Sequence, residues 1–553
     1  MKIKSFVISL LCLLSLAVIA QRPAASTRKQ DLFVSPDRPK LVVGLVIDQM
    51  RWDYLYRYNN RYVTGGFKRL LANGFSYDNT MIPYYPAVTS AGHTCLYTGS
   101  VPAIHGIVGN DWIEKMTGKK MYCTEDKSVS TVGSYSDQGE MSPRNMLTTT
   151  VGDELRLATN FRSRVFGIAL KDRGGILTAG HSANAAYWLD DSTGNWITST
   201  YYMNELPAWV DAFNKKKKAD SMMQNDWNLL YDISLYDQST TDDNNYEKTL
   251  NNETQRTFPH SYKNIIGKNY YPFRQSPYGN TYTLDFAKQL ISNEGLGKSG
   301  QTDMLCVSLS STDNVGHQFG PNSLEVEDTY LRLDIEIADF LNYLDATVGA
   351  GNYLFFLSAD HGAPQVANFL RDHKLPGGAV NKSAFVKELN QYCASKFGYD
   401  KLIRFMYESQ VYLDDKRIDS LKLDINEVKN TVLAYARKMP EVIHAFDYAS
   451  FDKVILPAPV KEKFALGYFP KRAGEIQLVL KSQYIEGDMI GTEHGMIYPY
   501  DAHIPLIWYG WNISAGSTSR EVYMTDVAPT ISALLKIQMP GGSIGKVLPE
   551  IVK

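Results

Sequence analysis

The predicted fold is decided by the segment Leu41-Val42-Val43-Gly44-Leu45-Val46-Ile47, which is followed directly by Asp48. An unbroken apolar run that is rich in β-branched residues indicates a strand buried on both faces. Strands of this kind are typical of a parallel sheet covered by helices. In such folds ligands bind beyond the carboxyl ends of the strands, which is where Asp48 stands.

Similar apolar runs recur at residues 165–170, 304–309, 353–357 and 504–509. Helical patterns lie between them, and the clearest runs from Leu324 to Leu344 with apolar residues at steps of three and four. Asn322, three residues before Glu325, is a start signal for this helix. We therefore predict an α/β fold with a central, largely parallel sheet sandwiched by helices.

The start of the chain has the pattern of a secretory signal peptide. Lys2 and Lys4 precede an apolar run that ends in small residues at Ala20, which predicts a signal peptide over residues 1–20 and a leader over residues 21–38. No later run reaches about 18 continuous apolar residues. We expect a periplasmic or secreted protein that does not contact the membrane after signal removal.

The remaining residues, 39–550, are predicted to form one large domain. Two stretches within it, residues 182–300 and 365–490, are rich in Tyr, Asn, Lys and Asp and supply few polar residues at strand ends. We interpret both as insertions that build a lid. The formal net charge of −2 argues against electrostatic binding of nucleic acid, and the sequence is compatible with a monomer.

Four cysteines follow the predicted signal peptide: Cys95, Cys123, Cys306 and Cys393. In an exported chain they could form two disulfides, and three pairings are open. None has the spacing of a zinc ribbon, so we treat them as structural residues.

Several polar residues stand at or just beyond the ends of apolar runs, and they are Asp48, Thr89, Asp313, His317, Asp360, His361 and His494. Carboxylates and imidazoles are ligands that zinc prefers, and a hydroxyl among them suits attack on a phosphoryl group. Asp313 and His317 are four residues apart and share one face of a helical turn. Viewed alone, Asp48 could equally cap a following helix.

Thr89 follows a proline-rich loop, Pro83 to Val88, and stands at the start of a predicted helix. A helix N-terminus offers free N–H groups and a positive dipole end, both of which stabilise a phosphate. The simpler interpretation is that Thr89 is an ordinary N-cap.

Taken together, the order and contexts of these motifs resemble the alkaline phosphatase superfamily, in particular its branch with a threonine nucleophile, the PafA-like alkaline phosphatases. The resemblance covers nearly the whole chain after the signal peptide. It implies that one zinc ion is held by Asp313, His317 and His494. It also implies that a second zinc ion is held by Asp48, Asp360 and His361, with Thr89 as the nucleophile bound to it.

The same resemblance assigns phosphate contacts to Asn110, Lys171 and Arg173. A monoester phosphoryl group is doubly anionic, and Arg can hold two of its oxygens at once. Lys171 would supply positive charge where related enzymes use magnesium, so we predict two zinc ions and no magnesium. Without the resemblance, Lys171 and Arg173 could be solvated charges after a strand.

The predicted function is that of an exported, zinc-dependent phosphate monoesterase acting on small-molecule phosphate monoesters. Its reaction would release inorganic phosphate through a phospho-threonine intermediate. Two alternatives remain at this point. The first is a phosphodiesterase or nucleotide pyrophosphatase of the same superfamily, and the second is a non-catalytic protein that binds zinc or phosphate.

Overall fold

The structure, a computed structural model, describes residues 37–250 and 253–552. The predicted signal peptide, residues 1–20, and residues 21–36 of the predicted leader lie outside the described residues. The chain from Pro39 onward forms one compact unit, Pro39–Lys553. Among the described residues, no helix combines the length and the apolar character that crossing a membrane requires.

The strands are numbered in chain order. They are β1 Leu41–Ile47, β2 Phe75–Met81, β3 Asp111–Glu114, β4 Lys119–Tyr122, β5 Thr131–Val132, β6 Val165–Ala169, β7 Ala185–Leu189, β8 Trp196–Ser199, β9 Asp303–Leu309, β10 Tyr353–Ser358, β11 Gly378–Ala379, β12 Ile403–Tyr407, β13 Gln410–Leu413, β14 Val442–Asp447, β15 Ile476–Leu480, β16 Tyr484–Ile485, β17 His503–Gly510, β18 Gly516–Thr518 and β19 Val522–Tyr523.

The main sheet has the order β18-β2-β17-β10-β1-β9-β6-β7-β8-β5, and β19 also pairs with β2. Its centre is parallel, because β10, β1, β9, β6 and β7 all run in one direction. Every residue of β1 is buried, as its apolar sequence predicts. Because β1 lies between β10 and β9 in parallel register, the carboxyl ends of these three strands meet at one edge of the sheet.

On either side of this parallel centre the sheet continues with antiparallel strands, β17 on one side and β8 on the other. The apolar run at residues 504–509 forms β17, which is antiparallel to β10. Burial on both faces therefore produces the apolar pattern, whichever direction the strand runs. The predicted α/β fold with a largely parallel sheet flanked by helices is confirmed, with this mixed character at its edges.

Helices of eight or more residues are Thr89–Thr98, Val151–Ala158, Asp172–Ala179, Ala208–Lys215, Tyr278–Asn293, Ser311–Phe319, Leu324–Leu344, Lys382–Phe397, Ile425–Ala436, Ala458–Gly467 and Val527–Leu535. Shorter α-helices are Tyr54–Arg57, Phe67–Asn73, Pro102–His105, Lys218–Met223, Ala367–Asp372, Asp415–Ser420 and Pro499–Ala502. Single turns of other helix types are Asn59–Arg61, Ile233–Leu235, Lys263–Ile265, Tyr271–Gln275, Asp345–Gly349, Tyr448–Lys453 and Met524–Asp526.

The helix Leu324–Leu344 has the predicted bounds, but its predicted start signal is wrong by one residue. Ser323, and not Asn322, is the N-cap, and its side chain accepts a hydrogen bond from the Val326 N–H. Ser323 takes this position because its extended backbone sets the hydroxyl over the first turn of the helix.

A smaller antiparallel sheet, with the order β12-β13-β15-β14, lies apart from the main sheet. The helices Lys382–Phe397 and Ile425–Ala436 pack against it around an apolar cluster that includes Leu389, Val411 and Val432. We call residues 382–480 the cap. The cap has its own core, so it can present side chains to the main sheet without disturbing that sheet's packing.

Cys95, Cys123, Cys306 and Cys393 are all buried, and the structure forms no disulfide among them. Cys306 lies in β9 at the centre of the main sheet. Its thiol donates a hydrogen bond to the Thr178 carbonyl at 3.6 Å, which satisfies it without a partner cysteine.

Candidate active site

Thr89 is the first residue of the helix Thr89–Thr98, and the extended Val88 is its N-cap. The Thr89 side chain makes no capping hydrogen bond, so the simple interpretation as an N-cap is wrong. Its hydroxyl is buried and lies 3.5 Å from Nε2 of His361. The hydroxyl is therefore directed at the neighbouring polar cluster instead of at its own helix.

Asp48 follows β1, and Asp360 and His361 follow the adjacent parallel strand β10. All three side chains are fully buried. The Nε2 atom of His361 lies 3.4 Å from Oδ1 of Asp48 and 3.5 Å from Oδ2 of Asp360. The chain turns sharply at Gly362, where an added Cβ would lie 2.3 Å from the Tyr500 carbonyl oxygen, so only glycine fits there.

Asp313 and His317 lie on the helix Ser311–Phe319, which follows β9. The Nε2 atom of His317 is 3.1 Å from Oδ1 of Asp313, and Nε2 of His494 is 3.5 Å from the same oxygen. His494 comes from a distant loop, and its ring stacks on the ring of His361 with centroids 3.5 Å apart. The structure thus brings all seven residues predicted from strand ends into one cluster.

The three histidines are oriented in the same way. Nδ1 of His317 donates to the Thr492 carbonyl at 2.8 Å, Nδ1 of His361 to the Gly362 carbonyl at 3.0 Å, and Nδ1 of His494 to the Ala87 carbonyl at 2.9 Å. Such backbone contacts fix the ring and its tautomer in metal-ligating histidines. Nε2 is then the nitrogen of each ring that is left to bind a cation.

In the part of the chain that the structure describes, two groups of side chains have ligand atoms within 4.8 Å of one another. They are Asp313, His317 and His494, and Asp48, Asp313 and His361. The first group matches the predicted set. The second contains Asp313 where the resemblance implies Asp360. Asp360 stands beside this group, and its Oδ1 accepts hydrogen bonds from the Gln49 and His361 N–H groups at 3.1 and 3.0 Å.

The donor set fits metal ions. Oδ1 of Asp48 and Oδ2 of Asp360 are buried, and neither oxygen accepts a hydrogen bond within the described part of the chain. Buried carboxylate oxygens without partners are costly unless a cation neutralises them. Carboxylate oxygen and imidazole nitrogen together are the ligand types of catalytic zinc sites.

Lys171 is buried between two of these carboxylates. Its Nζ lies 2.7 Å from Oδ2 of Asp48 and also contacts Oδ2 of Asp313. Burial alone would lower the pKa of Lys171, but Asp313 and Asp48 outweigh this effect and raise it. Lys171 therefore stays charged and supports the carboxylates, and it is not among the residues that line the cavity beside Thr89.

The pKa values of the two carboxyl groups that Lys171 contacts are shifted in opposite directions. Burial raises the pKa of Asp48 well above its usual range, and the nearby Asp313 and Asp360 add to this. Burial also opposes ionisation of Asp313, but His317 and Lys171 hold its pKa well below the usual range. Asp313 is thus the carboxylate that stays ionised at the centre of the cluster.

Arg173 and Asn110 line a cavity of about 200 Å³ that also contains Thr89. Nη1 of Arg173 donates to the hydroxyl of Tyr122 at 3.0 Å, which fixes the direction of the guanidinium. Oδ1 of Asn110 accepts a hydrogen bond from the Ser90 N–H at 3.2 Å. The Nδ2 group of Asn110 then remains a donor for an anion in the cavity.

Three further residues that the sequence did not assign to the site contact this cluster. Gln49 donates from Nε2 to Oδ1 of Asp313 at 2.8 Å. His93 lies 3.2 Å from Oδ2 of Asp360 and bonds to the Thr89 carbonyl, and Tyr122 holds Arg173. Only His93 carries a sequence signal, because it stands one helical turn after Thr89.

A sequence model of the type I phosphodiesterase / nucleotide pyrophosphatase family matches residues 42–495, which include all seven clustered residues. The chain belongs to this family. It is 49% identical to the alkaline phosphatase PhoV of Synechococcus elongatus, over 100% of both chains. It is also 49% identical, over 100% of both chains, to a Myroides odoratus protein named calcium-transporting ATPase.

The solved structure of wild-type alkaline phosphatase PafA is 47% identical and superposes with a TM-score of 0.92, covering 94% of this chain and 100% of that chain. A second solved structure is of a PafA variant in which a threonine, an asparagine, a lysine and an arginine are substituted. The resemblance to PafA-like alkaline phosphatases is confirmed.

Proposed function

We propose that the protein is an exported, zinc-dependent phosphate monoesterase that releases inorganic phosphate through a phosphoryl intermediate on Thr89. The observation that carries the proposal is the buried Thr89 hydroxyl at a helix start, 3.5 Å from His361 and in one cavity with Arg173 and Asn110. The alkaline phosphatases PhoV and PafA, at 49% and 47% identity, support the assignment to phosphoric monoester hydrolases.

Asp313, His317 and His494 would hold one zinc ion, and Asp48, Asp360 and His361 would hold the other. Because Asp313 also lies within reach of the second group, it is placed to contribute to both. Bound zinc would lower the pKa of a hydroxyl or a water and stabilise the negative charge that develops on oxygen. Lys171 supplies a fixed positive charge to the same carboxylates, so we propose that magnesium is not required.

In the first step Thr89 Oγ1 gives up its proton and attacks phosphorus in line. A bond forms between Thr89 Oγ1 and phosphorus, and the bond from phosphorus to the ester oxygen breaks, so the alcohol leaves and takes up a proton. Arg173 and the Nδ2 group of Asn110 hold the phosphoryl oxygens. In the second step water attacks phosphorus, Thr89 Oγ1 leaves and regains a proton, and phosphate is released.

Arg173 favours monoesters over diesters. A monoester presents three phosphoryl oxygens besides the ester oxygen, whereas a diester has replaced one of them with a second ester group. The contacts of Arg173 and Asn110 with these oxygens therefore stabilise a monoester more than a diester. The matching family model includes phosphodiesterases, and this activity is the second candidate.

Two further proposals concern the whole chain. The start of the chain, Met1 to Ala20, supports export to the periplasm or the medium through its signal-peptide pattern. The stretches 182–300 and 365–490 are proposed to be insertions in a catalytic domain of residues 39–550. The cap supports this, because it falls within the second stretch and its Tyr407 and Glu408 line the cavity.

The proposed function is tested with one monoester and one matched diester, 4-nitrophenyl phosphate and bis(4-nitrophenyl) phosphate. We expect a burst of 4-nitrophenol from the monoester, followed by steady release of phosphate. A non-catalytic protein would bind phosphate without turnover. Higher kcat/KM on the diester than on the monoester would favour the phosphodiesterase.

A further inference from the structure

The cavity beside Thr89 is lined by two unlike sets of residues. The first set contains Thr89, Arg173, His317 and His494, the groups proposed to act on the phosphoryl group. The second set contains Lys382, Tyr407 and Glu408 of the cap together with Glu486 and Glu493. None of these five residues has a role in the chemistry proposed above.

Glu408 lies in a tight hairpin turn beside the cavity. Tyr407 pairs with Gln410, so Glu408 and Ser409 form the two-residue turn between β12 and β13. Tyr85 fixes the turn, because its hydroxyl donates to the Glu408 carbonyl at 2.6 Å. Ser409 fixes it as well, since its hydroxyl donates to the carboxylate of Glu486.

The Glu408 carboxylate lies close to Gly495, the residue that follows the proposed metal ligand His494. A methyl group added at Gly495, the neighbour of His494, would lie 3.0 Å from Oε2 of Glu408. No described residue donates a hydrogen bond to either carboxylate oxygen of Glu408. Both oxygens are therefore available to a ligand in the cavity.

The second set of lining residues carries more negative than positive charge. Glu408, Glu486 and Glu493 are three carboxylates, and Lys382 is the one cation in this second set, since Arg173 belongs to the first. Nζ of Lys382 lies 3.9 Å from Oε2 of Glu486 and 5.9 Å from the centre of the Tyr407 ring. The Lys382 side chain is 43% exposed, so its ammonium can move into solvent when another cation takes its place.

We propose that Glu408, Glu486 and Glu493, which we call the acidic wall, form a leaving-group subsite that selects monoesters whose alcohol carries a primary ammonium. This inference rests on the proposed function. In an in-line reaction the alcohol leaves on the side of phosphorus opposite Thr89 Oγ1. The acidic wall lines the same cavity as Thr89 and Arg173, so an alcohol held in this cavity meets these carboxylates. The cavity of about 200 Å³ has room for the phosphoryl group and a short alcohol.

The matched substrates are 2-aminoethyl phosphate and propyl phosphate, which differ by an ammonium in place of a methyl group. The quantity measured is the ratio of their kcat/KM values at pH 9. At this pH Glu408 is ionised, because burial and the neighbouring Glu486 raise its pKa to about 8. The difference in intrinsic reactivity of the two esters is the same for every variant, so it cancels when ratios are compared.

We expect Glu408→Gln to lower the ratio roughly tenfold, which is the size of one lost hydrogen bond to a charged group. Lys382→Met should raise the ratio, because it removes the cation that competes for the acidic wall. The exposed Glu427 of the cap offers a matched control, and Glu427→Gln should keep the wild-type ratio.

A second variant tests whether a change in the ratio results from loss of the carboxylate or from misfolding. Glu408 has a backbone φ of 48°, a conformation that glycine adopts more easily, so Glu408→Gly removes the carboxylate without straining the turn. Wild-type ratios in both Glu408 variants would overturn the inference while leaving the proposed function intact. Absence of monoester turnover in the wild-type protein would instead refute the proposed function itself.

Discussion

Replacing Arg173 with Ala gives the sharpest test of substrate class. The change removes the guanidinium that faces the cavity beside Thr89 and Asn110. Burial would lower the pKa of Arg173, but Tyr122 and Asp172 outweigh this effect and raise it. The wild-type side chain is therefore a permanent cation. Loss of such a charge-assisted contact from a desolvated site costs on the order of 2 to 5 kcal/mol. This corresponds to about 1.5 to 4 decades in kcat/KM.

The loss should be much smaller for a diester, which offers fewer charged oxygens to the guanidinium. Arg173 is a better probe than Lys171, because Lys171 contacts the proposed metal ligands Asp48 and Asp313 and its removal would also disturb the metals. The assay measures kcat/KM for 4-nitrophenyl phosphate and bis(4-nitrophenyl) phosphate at saturating zinc. Metal content is measured in parallel.

Two controls make the comparison specific. Tyr122→Phe keeps the guanidinium but removes the hydroxyl that directs it, so monoester hydrolysis should fall by about tenfold at most, the size of one hydrogen bond. Arg162 is exposed on the surface, and Arg162→Ala should change neither activity. Equal losses on both substrates in Arg173→Ala would refute the reasoning and favour the phosphodiesterase.

Three further predictions concern the metals and the backbone. Chelation should abolish turnover and zinc alone should restore it, as measured by activity and metal content, whereas a strict magnesium requirement would contradict the role given to Lys171. Burial would lower the pKa of His317, but Asp313 outweighs this and raises it to about 9. Below that pKa a proton competes for the ligand nitrogen, so zinc affinity measured by competition with a chelator should rise by up to tenfold per pH unit from pH 7 to about 9. A flat profile would exclude His317 as a ligand. Gly362→Ala places a methyl group 2.3 Å from the Tyr500 carbonyl oxygen, so it should lower the midpoint of thermal unfolding by several degrees, and an unchanged midpoint would contradict the close packing described at this turn.

The parts of this protein that the sequence predicted well are those with local signals. The apolar run that forms β1 and the three- and four-residue spacing of Leu324–Leu344 each reflect burial of that segment alone. Strand direction is a different matter, because β17 is as apolar as β1 but runs antiparallel to β10. Direction depends on how the chain returns to the sheet, and hydrophobic periodicity does not record that.

The residues of the candidate site likewise fall into those with a local sequence signal and those without one. Asp48, Asp313 and Asp360 could be found because each follows a strand whose pattern is readable. The positions of Gln49 and Tyr122 could not be found, since their contacts with Asp313 and Arg173 join segments that are distant in sequence. Lys171 was predicted to contact phosphate, yet its ammonium lies between Asp48 and Asp313, a placement that only the packed strand ends define.

The central claim is that Thr89 carries the phosphoryl group during turnover. Rapid acid quenching during hydrolysis of a monoester, followed by peptide mass spectrometry, measures this directly. We predict a phosphoryl group on the peptide that contains Thr89, present in the wild type and in Thr89→Ser and absent from Thr89→Ala, which should lose nearly all turnover while keeping its zinc. Monoester hydrolysis by Thr89→Ala at a rate near that of the wild type would contradict the account.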